Sequence, residues 1–188
     1  MPKVTVPEEN RRLIEASDVA RMIEIAPSMR DKALIALYYI FGVRRNEPLE
    51  MRKESIWLDS DWFYLKVKRE KVPKRMVLPR VDTLKVSKST PFLQHIMAHW
   101  SSLKEGDMLF DYHSNPRTAS HNIYVMIKKL NPNIWIHLFR HTRAEKFRAA
   151  GYSDAELMSW FGWTDPRTPA HYTHPSTKTI EDMGSGIT

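Results

Sequence analysis

The stretch ALIALYYIFGV, residues 33–43, constrains the fold more than any other part of the chain. It carries no charge and no break before Gly42. It is apolar nearly all round rather than along one stripe, the mark of a helix buried on every side. It is too short to cross a bilayer, which takes about 20 apolar residues. The pattern predicts a helix from about Met29 to Phe41, stopped by Gly42, at the centre of a core that the rest of the chain must supply. With 188 residues and 42% hydrophobic content, the chain can supply one.

The covering elements follow from local signals. Ser17 or Asp18 caps a preceding helix that ends near Pro27. After Gly42 comes a short helical turn over residues 47–51. Residues 56–58, 62–68 and 75–79 are short and rich in β-branched and aromatic types, which predicts strands. The very basic loop REKVPK separates the last two. Thr90-Pro91 opens a helix with Thr90 as N-cap and Pro91 at the first position. Its apolar face holds Phe92, Leu93, Ile96, Met97, Trp100 and Leu103. Ile123, Met126, Ile127 and Leu130 fall at helical spacing over about 120–130. A helix over 138–150 is stopped by Gly151. Ser153-Asp154-Ala155-Glu156 is a capping box for one more, through Trp160. Thr168-Pro169 then restarts a short helix that Pro175 limits. No internal repeat, low-complexity segment or interdomain linker is present. The expected class is α+β: mainly helical, a small antiparallel sheet, one domain and a C-terminal tail.

Charge narrows the partners. The net charge is +7 and the pI about 9.6, an excess that favours an anionic partner, most commonly nucleic acid. The absence of cysteine removes disulfides, thiolate metal sites and cysteine nucleophiles together. The N-terminus MPKVTVPEENRR has no apolar signal-peptide region. The expectation is a soluble, cytoplasmic protein without membrane contact.

Four features bear on chemistry. In His137-Leu138-Phe139-Arg140, positions three apart share a helix face, so an imidazole and a guanidinium project together from a first turn whose amides favour an anion. That set suits a phosphate, although HxxR alone is a weak string. In Gly42-Val43-Arg44-Arg45-Asn46-Glu47, an arginine just past a buried helix is either held over a site or is one of two solvated charges. The loop of residues 68–74 is either a lysine-rich tip that reaches into DNA or a solvated turn. Tyr172, between His171 and His174 in FGWTDPRTPAHYTH, is by default a packed aromatic. The pairs His137/His141 and His171/His174 admit a zinc reading, but no H-E-x-x-H or nearby carboxylate supports it.

Order and spacing carry more than any single string. GVRRNEPLEM at 42–51, HLFRHTRAEKF at 137–147 and LMSWFGWTDPRTPAHYTH at 157–174 resemble, in series, the tyrosine recombinase (phage integrase) family. The resemblance runs from about Ser17 to His174. It implies that Arg44 and Arg140 are the two catalytic arginines, His137 the histidine of HxxR and Tyr172 the nucleophile. It puts the catalytic lysine on the β-hairpin. Lys71, at the end of the strand before the tip, is the first choice, with Lys68 and Lys74 open. Trp163 stands where the family usually has histidine. Some members are similar in having tryptophan there. An indole N–H still donates one hydrogen bond, and its ring can buttress the tyrosine helix, but it cannot shuttle a proton.

The activity the resemblance implies is site-specific DNA recombination or integration through a covalent 3′-phosphotyrosyl intermediate, needing neither metal nor ATP. The implied partners are double-stranded DNA and further copies of the chain, up to a tetramer on DNA. A type IB topoisomerase is the rival with the same chemistry. A DNA-binding module with a silenced active site is the rival from another class. Family members usually carry an N-terminal core-binding domain. The chain is expected to be a catalytic domain over 1–174 without it, followed by a tail over 175–188.

Overall fold

The structure is a computed structural model that describes residues 12–69, 80–112 and 115–172, with His171 and Tyr172 described by backbone alone. The uncharged run forms α2 (Met29–Phe41), which follows α1 (Ala16–Ile25). Ser28 caps α2: its Oγ accepts from the Asp31 N–H at 3.1 Å and donates to the Asp31 carboxylate at 2.6 Å. Gly42 ends it in the left-handed region (φ 60°), its N–H donating to the Tyr38 carbonyl at 3.0 Å. Every residue from Ala33 to Phe41 is buried, and the neighbours lie all round. α1 packs along one side. Tyr38 stacks on Phe139 and Phe41 lies tilted against Phe63, each at 6.0 Å between ring centroids.

The sheet is antiparallel in the order β1 (Ile56–Leu58), β2 (Trp62–Lys68), β3 (Val81–Ser87). β2 alternates strictly: Phe63, Leu65 and Val67 are buried while Trp62, Lys66 and Lys68 are exposed. The sequence reading placed no strand at residues 81–87, where the structure has one. Residues 75–79 lie outside the described residues, and β3 begins at Val81, with Leu65 opposite Leu84 and Lys68 opposite Val81. β3 was hard to read because Leu84 is its one buried apolar residue and four of its seven positions are polar.

α3 (Leu93–Ser102) packs against α2. It starts later than Thr90-Pro91 suggested. Phe92 adopts φ 69°, a rare conformation for a non-glycine residue, and sets its ring edge-on to Tyr39 at 5.7 Å. Thr90-Pro91 instead forms the turn before it, with the Leu93 N–H donating to the Thr90 carbonyl at 3.2 Å. α4 (Pro116–Leu130) starts earlier than its apolar periodicity showed, because Asn115 accepts from the Thr118 N–H at 3.0 Å and Pro116 holds the first position.

The chain divides into two compact units, Met1–Arg143 and Ala144–Thr188, and α5 (Ile136–Ala149) contributes to both. In the second unit, α6 (Asp154–Phe161) opens on the expected capping box at Ser153 and closes on left-handed Gly162. Its core is Ala144, Leu157, Phe161 and Trp163, flanked by Phe147, Met158 and Trp160. A 3-10 turn, Pro169–Tyr172, follows. The fold is thus six helices and a three-stranded sheet among the described residues, the α+β class expected. No helix there is long and apolar enough to cross a membrane.

Candidate active site

The segment that leaves α2 carries the first arginine. Its backbone makes a 3-10 turn, Glu47–Glu50, and Glu47 folds back towards α2 with its side chain fully buried. One carboxylate oxygen of Glu47 accepts the Arg44 backbone N–H at 2.7 Å, and the other accepts Arg44 Nη1 at 3.1 Å. A charge removed from water is costly unless it is paired and hydrogen-bonded. Arg44 therefore cannot move off without costing Glu47 a charged partner. The Arg44 side chain keeps 15% exposure, so it is anchored at its base and open at its edge. Arg44 is thus held at its base by Glu47 rather than freely solvated. Arg45 alone remains exposed.

Arg140 comes to the same segment from α5. It is 5% exposed, and its Nη1 donates to the Gly42 carbonyl at 2.8 Å. One turn further on, Arg143 donates through Nε and Nη2 to the Tyr39 carbonyl at 3.1 and 2.8 Å. Helix C-terminal carbonyls have no partner within the helix and carry partial negative charge, so two arginines three apart on α5 seat α5 against the end of α2. Burial lowers the pKa of Arg143, the largest influence on it. Guanidinium stays protonated in proteins regardless. At least one of the five guanidinium donors of Arg140 is thus committed to the backbone.

His137 and Arg140 start from the same end of α5 but differ in depth: His137 is exposed where Arg140 is buried. Trp163 is 7% exposed and stacks on Phe161 at 4.8 Å, within the second unit. Tyr172 closes the 3-10 turn that begins at Pro169. Arg148 holds the start of that turn by donating to the Pro169 carbonyl at 3.1 Å, and it pairs with Asp154. Of the three lysines, Lys68 is described: it ends β2, exposed, and pairs with Glu50 at 2.6 Å. Lys71 and Lys74 lie outside the described residues. Among the described residues no three histidine or carboxylate side chains come together as a metal site would need.

Two contributors were passed over in the sequence. Glu47 stands in the string quoted around Arg44 but received no role, although an apolar residue on each side of the turn (Val43, Pro48) points to burial. Arg69 was counted as part of a basic loop. Yet β2 alternates inward at 63, 65 and 67, so 69 is the next inward position, and Arg69 is indeed 2% exposed.

Comparison with known proteins follows the same outline. The family model described as "Phage integrase family" matches residues 7–179. Transposase A from transposon Tn554 of Staphylococcus aureus is 22% identical over 192 residues, covering 96% of this chain and 53% of the transposase. The chain therefore spans about half the length of the curated relatives it matches. Among solved structures, XerA recombinase aligns with a TM-score of 0.66 at 19% identity, over 98% of this chain and 66% of that one. XerH site-specific recombinase bound to its difH substrate aligns at 0.69 and 15%, over 93% and 54%. The Tn1549 transposon integrase in complex with a circular-intermediate DNA aligns at 0.66 and 11%, over 100% and 68%. At such identities the structural likenesses speak for the fold. The family model covers most of the chain, from before α1 to beyond Tyr172, and on that match the chain belongs to the phage integrase family, the tyrosine recombinases.

Proposed function

We propose that the chain is the catalytic domain of a site-specific DNA recombinase that cuts and rejoins strands through Tyr172. The observation that carries this reading is the common anchorage of Arg44 and Arg140. One is locked to buried Glu47 and the other to the Gly42 carbonyl, so both are fixed to one short segment. Two rigid guanidinium groups suit the non-bridging oxygens of a phosphodiester and the extra charge of its pentacovalent transition state. In the proposed step the Tyr172 oxygen bonds to phosphorus and the bond to the 5′-oxygen breaks. His137 takes the tyrosine proton, and Lys71 gives one to the leaving oxygen. Exposure of His137 on the first turn of α5 suits a group that must meet substrate. Trp163 supports the fold around the tyrosine segment by packing, and its N–H serves as a donor. The phosphotyrosyl bond retains the energy of the cleaved one, so resealing to another 5′-hydroxyl needs no ATP.

The proposed substrate is double-stranded DNA, in keeping with a pI of about 9.6 and with the DNA-bound state of the XerH and Tn1549 proteins. Residues 1–174 form the proposed catalytic part and 175–188 the tail through which copies would assemble on DNA.

The test is a pool of nicked duplexes with a randomised core, incubated with the chain and run on a denaturing gel. The wild type should give a slower protein–DNA band, and Tyr172→Phe should give none while still shifting DNA on a native gel. A band that survives in Tyr172→Phe, or no band from the wild type, overturns the reading.

A further inference from the structure

Past Arg44 and Glu47 the charges continue into the sheet. Arg69, the first residue after β2, donates Nε to Asp82 at 2.7 Å and reaches Glu47 Oε2 through Nη1 at 3.5 Å. Arg80 closes the chain by donating to the other Asp82 oxygen at 2.6 Å. Side-chain exposure rises outward from the middle: 0% for Glu47, 1% for Arg69, 14% for Asp82 and 31% for Arg80. The backbone is fixed as well, since the Arg69 N–H donates to the Arg80 carbonyl at 2.8 Å. Arg69 therefore joins three things: the base of the β2–β3 connection, Asp82 on β3, and the carboxylate that holds Arg44.

We infer that Arg69 is a positioning residue for Arg44, acting through Glu47. The inference rests on the catalytic reading above. A fully buried Glu47 facing Arg44 alone would draw both guanidinium nitrogens onto both of its oxygens, the bidentate geometry that this pair favours. Oε2 accepts the Arg44 backbone N–H at 2.7 Å and faces Arg69 Nη1 at 3.5 Å as an ion pair. That leaves Oε1 for Arg44 Nη1, and among the described residues it is the one side-chain bond Glu47 makes to Arg44. The remainder of the Arg44 fork is kept for an anion. Asp82 holds Arg69 in that position from the other side. Lysine cannot do the same, because a single ammonium lacks the planar fork that spans two carboxylates. Lys71 follows Arg69 by two residues in the chain, so the same side chain fixes the point from which the lysine-bearing segment departs.

The test uses the full chain and a nicked duplex recovered from the pool above. At saturating protein, Arg69→Lys should slow strand cleavage by about 10–100-fold, the scale of a small misplacement remote from the reacting atoms. Its dissociation constant for the same DNA should stay within about twofold, since the charge is kept. Asp82→Asn, a near-isosteric change at a less buried site, should slow the same step. The double variant should be slower than either by less than the product of the two effects, because both act through one path. In free protein, the Arg44 Nε–Hε correlation in nitrogen-15 NMR should shift in both variants. A wild-type cleavage rate in Arg69→Lys, a loss confined to DNA affinity, or an unmoved Arg44 signal overturns the inference. If the wild type gives no Tyr172-dependent adduct, the catalytic reading fails by itself, and the NMR signal still decides whether Arg69 sets Arg44.

Discussion

Glu47 shows how one residue changes the meaning of its neighbour. A pair of arginines after a helix is ordinarily two solvated charges, and surface pairs contribute little. Burial of the carboxylate turns Arg44 into a fixed group. Glu47→Gln keeps the shape and removes the charge, leaving Arg44 without its anion. We expect a loss of about 3 kcal/mol in urea unfolding, as for a buried pair broken at one partner. Strand cleavage should fall with it. A loss below about 1 kcal/mol would mean that the pair behaves like a surface one. Arg44, Arg140 and His137 were legible as candidates because their residue types and order match a family pattern. Glu47 and Arg69 were not, because burial of a charge depends on which partner the fold brings opposite, and no local spacing encodes that. Arg69 lies 22 residues from Glu47 and 13 from Asp82.

Elements with a complete local signal were readable. α2 followed from an apolar run with no polar side and a glycine after it; the Ser28 cap came to light only in the structure. α6 followed from its capping box. Starts set by less common devices were misjudged: α3 begins behind a left-handed Phe92, and α4 begins on an Asn-Pro pair outside its apolar stripe. The α6 cap also carries a pH dependence. The Glu156 carboxylate accepts the Ser153 Oγ–H at 2.7 Å and the Ser153 N–H at 2.8 Å, and these bonds hold its pKa below the ordinary glutamate value. A depressed pKa means the stabilisation is present above the unfolded value and is lost as pH falls through the folded one. Protection of the Ser153 amide against exchange, relative to its intrinsic rate at each pH, should therefore fall below the usual carboxylate range. Glu156→Gln, which caps without titrating, should flatten that dependence. A dependence that persists in the glutamine variant contradicts the assignment.

At the scale of the molecule, the charge excess was the plainest signal and the least specific. An excess of +7 predicts that DNA binding is driven in large part by counterion release. The logarithm of the binding constant should fall linearly with that of salt concentration, by about 0.9 per phosphate neutralised. Titration of a labelled duplex at several salt concentrations reads the slope, and a slope near zero contradicts phosphate binding. The class, α+β with a small antiparallel sheet, was legible because one buried helix demanded covering elements and the apolar patterns supplied them. Placement of the third strand was not, since β3 buries one leucine and otherwise resembles a polar loop.

The proposed chemistry requires Tyr172 to become covalently joined to DNA. Adducts formed on the nicked pool, trimmed with nuclease and digested with trypsin, identify the residue by mass spectrometry. The tryptic peptide of residues 168–178, TPAHYTHPSTK, contains a single tyrosine. The nucleotide mass should sit on that peptide, at Tyr172. Nucleotide on any other residue, or no covalent product at all, contradicts it.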